Sequence, residues 1–339
     1  MMPLPPFELH SPSTLPEALE LKEKLGAEAK ILAGGTDLLV SMKHGLFKPG
    51  HLLWLGRVGD MAGISLTGDG TIRMGTMCTL DAIGRDPIVG ERLPPMQSAV
   101  RGIASPQIRN RASLGGNLCI NTRCFYYDHS EFWRGALCGC LKLGLDPAQV
   151  NLVCHAGPGL AMCTAVFFSD LAPLLIALDA VVEIRSRAGA RTIPLAELYS
   201  TDGGAHLAFG NDEIMTAVLV PGPGKDVRFC HMKFSLRGAI DFPVANVGVR
   251  VGIDPSGACT GAKVVVGAVQ TCPAEIRGAG EILKGAAPGP DAIEEAARAA
   301  SAGVNPFPNA YESIGYRKKI VGVLVRRALK ELLSPDRHD

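Results

Sequence analysis

Residues 105–117 read SPQIRNRASLGGN and end in a Gly-Gly pair flanked by a hydroxyl and an amide. Ser113, Gly115, Gly116 and Asn117 offer small side chains, and glycine lets a backbone approach a ligand closely. A second Gly-Gly turn stands upstream, in ILAGGTDLL at residues 31–39. It sits between an apolar strand and a helix start, where free N–H groups can hold a phosphate. Taken singly, this turn is an ordinary strand-to-helix connection with Thr36 as N-cap. Neither loop has the GxGxxG or P-loop spacing, so the usual nucleotide fingerprints are absent. Two such loops can grip one diphosphate from both sides, and the pair says more than either member.

The segments around these loops alternate between helix and strand patterns. STLPEALELKEKLG reads as a helix capped by Thr14, with Pro16 in its first turn and Leu15, Leu19, Leu21 and Leu25 as apolar positions. AKILAGG is a strand and TDLLVSMKHG a second helix. Strands are expected in HLLWLG, GISLT and TIRMGTM, and helices in LDAIGRD and around MQSAVRGI. LAPLLIALDAVVEIRSRAGARTIPLAEL predicts a helix, a strand, a turn and a strand, and EIMTAVLVP another strand. VPGPGKD has the Pro and Gly of a linker. Beyond it come strands in VRFCHMKFSL, VANVGVRVGID and AKVVVGAV, then helices in AEIRGAGEILKG, PDAIEEAARAASAG and YRKKIVGVLVRRALKELL. In the last helix Ile320, Val323, Leu324, Ala328, Leu329 and Leu332 fall near one face, and Pro335 marks its stop. The mixed order favours α+β over a regular doubly wound sheet.

Bulk properties narrow the function. The 339 residues suffice for two or three domains. A net charge of +1 without long single-sign runs argues against nucleic acid or a membrane surface as partner. Neither a signal peptide nor a long apolar span is visible, so the cytoplasm is the expected location. No nucleophile triad, HExxH or acid/base pair stands out, so no catalytic residue is expected.

Six of the ten cysteines lie between Cys119 and Cys163. A reducing compartment disfavours disulfides. Thiolates suit iron–sulfur clusters and zinc, and a [4Fe–4S] cube needs four of them. The spacings match no ferredoxin run. His155 beside Cys154 keeps a Cys3His zinc site open, and a plain cysteine-containing core is the third reading. Tyr126, Tyr127, Phe132 and Trp133 are expected to bury the loop, with His129 as a polar loop residue. Cys78, Cys230, Cys259 and Cys272 sit in strand-like or loop contexts and are expected to be buried or incidental.

The succession AGGTD, RMGTMCTLDAI, SPQIRNRASLGGN, FSDLAP, EIMTAVLVP and MKFSLRGAIDFPVANVGV resembles the flavin-binding subunit of the xanthine dehydrogenase family of molybdenum hydroxylases. The match spans nearly the whole chain. It implies an α+β fold: a two-subdomain FAD-binding domain of the vanillyl-alcohol-oxidase/CO-dehydrogenase flavoprotein type and a smaller C-terminal α+β domain. The boundaries would be 1–224, with subdomains about 1–60 and 61–224, and 225–339. FAD would lie on Leu32, Ala33, Gly34, Gly35, Thr36, Asp37 and Leu38, and on Ser113, Gly115, Gly116 and Asn117. Asp170 and Met215 fall on flavin-contacting positions, and Lys233 on a basic position near the ring. Asp170 also has an ordinary reading as N-cap of the following helix, and Lys233 as a solvated strand residue.

About 50 residues separate Asn117 from Asp170, where most such subunits have a short link. The insertion, about 119–165, resembles the 4-hydroxybenzoyl-CoA reductase branch through GGNLCINTRC, SEFWR and CLK; the later DPAQVNLVCHAGPGLAMC departs from it. That branch implies a [4Fe–4S] cluster. Cys119 directly follows GGNL and is assigned to the FAD scaffold, and the CLK match selects Cys140 over Cys138. The ligand set is then Cys124, Cys140, Cys154 and Cys163. The implied partners are a molybdenum-cofactor large subunit and a small [2Fe–2S] subunit, in a dimer of heterotrimers, with ferredoxin as electron donor. The implied reaction is reductive dehydroxylation to benzoyl-CoA. The alternatives are a hydroxylase flavin subunit delivering electrons to NAD or another acceptor, and an FAD module with a structural zinc site.

Overall fold

Three sheets, each with its own apolar cluster, organise the chain. The computed structural model describes residues 3–137, 139–143, 154–157, 159–285, 287–307 and 312–334. β1 (Glu8–His10), β2 (Ala29–Leu32) and β3 (His51–Trp54) form a parallel sheet in the order β1-β3-β2. Parallel strands need crossovers. The helix Leu15–Leu25 supplies the first: Thr14 accepts a hydrogen bond from the Glu17 N–H, as its N-cap position predicts. Its Ala18 and Leu19 bury against Leu53 and Leu55. The short helix Leu38–Lys43 lies between β2 and β3.

β4 (Ile64–Leu66), β5 (Ile72–Gly75), β6 (Val181–Ser186), β7 (Gly189–Pro194) and β8 (Ile214–Val220) make an antiparallel sheet ordered β4-β5-β8-β6-β7. Central β8 reads IMTAVLV and is buried at six of seven positions, whereas edge β7 is mostly exposed. An unbroken apolar run fits a strand covered on both faces. Ile72, Met74 and Val218 share a core with Leu174 and Leu175 of the helix Ala172–Ala177. Truncating one of the larger of these side chains to Ala costs about 2–5 kcal/mol.

β9 (Val227–Phe234), β10 (Ala245–Ile253), β11 (Cys259–Gly267) and β12 (Ala274–Glu275) form an antiparallel sheet ordered β12-β11-β10-β9. The helices Arg277–Leu283, Pro290–Gly303 and Ile314–Leu333 contribute to its core. On the last helix Leu324, Ala328, Leu329 and Leu332 bury as expected, but Ile320 and Val323 are only partly buried. Val321 and Val325 take the inner positions instead, because the stripe centres one residue further along. Arg317 on the same face is fully buried and donates to the carbonyls of Phe307 and Ala268. Pro335 lies outside the described residues. Mixed helix and sheet of this kind is the α+β class expected.

Candidate functional site

A cavity of about 900 Å³ is lined by residues of β2, of β8 and of the segment between β9 and β10. The first Gly-Gly loop reaches it from the end of β2. Gly35 has φ +76°, a left-handed conformation that favours glycine. Gly34 lies so close to the second loop's approach that a Cβ would stand 1.7 Å from the Arg111 carbonyl oxygen. The two loops are thus brought together by the absence of a side chain. Among the described residues, the N–H groups of Gly34, Gly35, Thr36 and Asp37 donate to no acceptor within the chain. That row of open donors suits an anionic ligand.

Thr36 does not cap the helix after this loop. Asp37 occupies the N-cap position without a capping bond, because its carboxylate pairs with Arg123. In the second loop Ser113 does cap, accepting from the Gly116 N–H at 3.1 Å. Asn117 turns inward instead. Its Oδ1 accepts from the Ser169 hydroxyl at 2.8 Å and the Leu171 N–H at 3.3 Å, fixing the SDLAP segment.

Ala33 to Leu38, Ser113, Gly115, Gly116, Asn117, Asp170 and Met215 all line the cavity. Leu32 and Lys233 do not. Behind the cavity wall, the Lys233 ammonium stands 2.8 Å from the Asp170 carboxylate and donates to the carbonyls of Gly102 and Asp241. Its ordinary reading as a solvated strand residue is therefore replaced by a buried ion pair. Asp170 is not a helix cap either: the Ser169 hydroxyl accepts from the Ala172 N–H. Burial raises the Asp170 pKa, opposed by Lys233. Asn246 of β10 completes the seam, donating to the carbonyls of Ser169 and Asp170 at 3.1 Å each.

Several wall residues escaped sequence reasoning. Asn121 Nδ2 and Arg123 Nε are buried donors on the wall without a partner. They fit a ligand rich in acceptors, as do the open backbone donors, so the chain has the donor set that FAD needs. Ile240 and Phe242 close the cavity from the C-terminal part, and Arg123 lies over the Phe242 ring, 5.6 Å from its centroid. Only a signal for tertiary proximity would have found them.

The insertion borders this cavity through Arg123, Tyr127 and Lys142. Cys140, Cys154 and Cys163 are buried, and Cys124 is half-buried. Two sulfurs accept backbone N–H groups: Cys154 from Gly157 at 3.3 Å and Cys163 from Ala165 at 3.4 Å. Burial pushes the Cys163 thiol up to about 11, and the Ala165 N–H and Lys142 oppose the rise. Cys140 adds to the rise at Cys124 and Cys163, and Cys124 to that at Cys163. Burial in turn drives the Lys142 ammonium down to about 8. Its Nζ donates to the Thr122 carbonyl at 2.6 Å and lies 5.1 Å from the Tyr127 ring centroid.

Among the described residues, no three of these sulfurs lie within 4.8 Å of one another. A tetrahedral zinc with bonds of about 2.3 Å would need its sulfurs roughly 4 Å apart, whereas a cube spreads its thiolates over four irons. His155 is held by a 2.7 Å hydrogen bond between its Nε2 and the Gly139 carbonyl. Cys138 lies outside the described residues. Phe132, expected inside, is 91% exposed, because the helix Glu131–Gly135 turns Arg134 inward to the carbonyls of Gly45 and His129. Phe125, itself 42% exposed, stands edge-on to Tyr126, His129 and Trp133, and Tyr127 is the aromatic ring of this loop that is buried. His129 is a ring partner of Trp133, with centroids 4.1 Å apart. Cys119 lines the cavity, its thiol pushed up to about 12 by burial. Cys78, Cys230 and Cys259 are buried and Cys272 half-buried.

The sequence family described as FAD binding domain in molybdopterin dehydrogenase matches residues 5–223, and CO dehydrogenase flavoprotein C-terminal domain matches residues 231–332. The carbon monoxide dehydrogenase medium chain of Afipia carboxidovorans is 27% identical over 324 residues, 96% of each chain. The nicotine 6-hydroxylase medium subunit of Paenarthrobacter nicotinovorans is 28% identical, covering 97% of this chain and 98% of its own. The crystal structure of the Cu,Mo-CO dehydrogenase superposes with a TM-score of 0.79 at 26% identity, over 98% of this chain and 99% of that one. Among the described residues no helix is long and apolar enough to cross a membrane.

Proposed function

This chain belongs to the FAD-binding family of the molybdopterin dehydrogenases, and from that premise we propose that it is the FAD and [4Fe–4S] subunit of a 4-hydroxybenzoyl-CoA reductase complex. In this reading it carries electrons from ferredoxin towards a small [2Fe–2S] subunit and a molybdenum-cofactor large subunit, which removes the para-hydroxyl. The division at 224/225 and the dimer of heterotrimers belong to the same proposal.

FAD supplies exchange of one or two electrons, and so joins one-electron centres to a two-electron reaction. The chain's own residues bind and orient. Gly34 to Asp37 would hold the diphosphate with their open N–H groups, and Ser113 to Asn117 would close on it from the other side. Asp170, fixed by Lys233 and Asn246, would present a carboxylate towards the flavin. Cys124, Cys140, Cys154 and Cys163 would supply four thiolates. The N–H donors on Cys154 and Cys163 favour charged sulfur. Buried Tyr127, with the partly buried Tyr126 and Trp133 beside it, would limit the access of water.

The observation that carries the reading is this crowd of buried thiols on the flank of an acceptor-seeking cavity. The test is metal analysis and EPR of the anaerobically purified complex, followed by turnover of 4-hydroxybenzoyl-CoA with reduced ferredoxin. One tightly bound zinc and no iron ends the cluster reading. Iron with no turnover of that substrate ends the reductase reading alone. A second reading, in which electrons run outward to NAD or another acceptor, draws support from relatives named as a dehydrogenase and a hydroxylase.

A further inference from the structure

Glu8, His10 and His51 share one face of the first sheet. β1 and β3 register Glu8 against His51, and His10 follows Glu8 by two residues. The two-residue strand period brings all three side chains to the same side. His10 Nε2 lies 3.1 Å from His51 Nδ1. The Glu8 carboxylate faces both rings, at 3.7 Å from His10 Nε2 and 3.6 Å from His51 Nδ1. Among the described residues this is the one group of three His, Cys, Asp or Glu ligand atoms within 4.8 Å of one another. None of the three lines the cavity.

The geometry points to a binding site for a divalent transition-metal ion, with zinc as the natural occupant. Zinc–nitrogen and zinc–oxygen bonds of about 2.0–2.2 Å put neighbouring ligand atoms of a tetrahedron roughly 3.3–3.5 Å apart. The separations of 3.1, 3.6 and 3.7 Å, the last two to the two different Glu8 oxygens, lie around that value. A hydrogen bond between the two imidazoles would account for the 3.1 Å contact alone. The Glu8 carboxylate, one oxygen towards each ring and within ion-pair range of both, adds the third ligand group to the pair. Two imidazoles and one carboxylate leave a fourth position open to water. The ion would pin β1, an edge strand of three residues paired only with β3, to the rest of the sheet.

Cobalt(II) titration of the full-length protein, followed by visible absorption, tests the site, since cobalt on thiolates adds a near-ultraviolet charge-transfer band that nitrogen and oxygen ligands lack. The expected result is one equivalent of d–d absorption without that band, retained in Cys154→Ser. Glu8→Gln and His10→Gln should each weaken it by at least about tenfold, since even outer partners of a metal ligand are worth that much. Glu8 is largely solvent-exposed, so Glu8→Gln folds whatever His10→Gln does. Cobalt binding unchanged by both substitutions, or none saturating near one equivalent, overturns the assignment.

Discussion

The Lys233 ammonium meets the Asp170 carboxylate at 2.8 Å across the seam between β9 and the segment before the helix Ala172–Ala177, with both side chains nearly out of solvent. Breaking such a pair leaves an uncompensated buried charge and costs about 3–5 kcal/mol. Lys233→Met should cost about that much in urea denaturation. Adding Asp170→Asn should recover a large part of it, because a neutral pair removes the orphaned charge. Burial already holds the Asp170 pKa above its ordinary value, and Lys233 opposes this. Without Lys233 it rises further, and protonation then relieves the strain. The deficit of Lys233→Met should therefore shrink as pH falls towards the carboxylate range. A deficit independent of pH would contradict the pairing.

Gly34→Ala should separate the two loops. Its Cβ would need the space held by the Arg111 carbonyl, which is backbone and cannot rotate away. Overpacking costs typically about 1–3 kcal/mol. The larger expected effect is on flavin: the purified variant should lose most of the FAD that acid denaturation releases from wild-type protein. Gly50→Ala, where a Cβ meets nothing within 4 Å, is the control and should retain flavin.

The strands and most helices were legible because apolar periodicity and end signals agree, as at Thr14, Pro16 and the run IMTAVLV. The Gly-Gly loops were legible for the same local reason. What escaped depends on partners distant in sequence. Asp37 gives up helix capping for Arg123, 86 residues away. Phe132 looked like core, but a short helix capped by Ser130 turns it outward and Arg134 inward. Arg317 reads as a surface charge until the carbonyls of Ala268 and Phe307 come within reach. No local pattern carries these choices.

Burial holds His206 and His231 down to about 4, with Lys142 and Lys233 adding to the effect. A histidine depressed in the folded state takes up protons more readily when unfolded. Stability is therefore lost as pH falls from about 6.5, the free value, towards 4, and changes little from this source below that. Each ring contributes up to about 3 kcal/mol, because every tenfold weakening of proton binding is worth about 1.4 kcal/mol. Denaturation midpoints should fall across this window, and His206→Gln should flatten the slope by about half. An unchanged slope would contradict burial of His206 as a neutral ring.

The cysteine assignment predicts a pattern across single substitutions. Cys124→Ser, Cys140→Ser, Cys154→Ser and Cys163→Ser should each lower the iron content from about four per chain and remove the reduced cubane EPR signal. Cys119→Ser and Cys138→Ser should leave both intact. Cys119 belongs to the cavity wall. Cys140 is preferred to Cys138 because the CLK string that it opens matches the ligand position of the branch that the insertion resembles. Iron retained in Cys140→Ser and lost in Cys138→Ser would move the ligand by two residues while leaving the cluster in place. Iron unaffected by all six substitutions would put any cluster elsewhere.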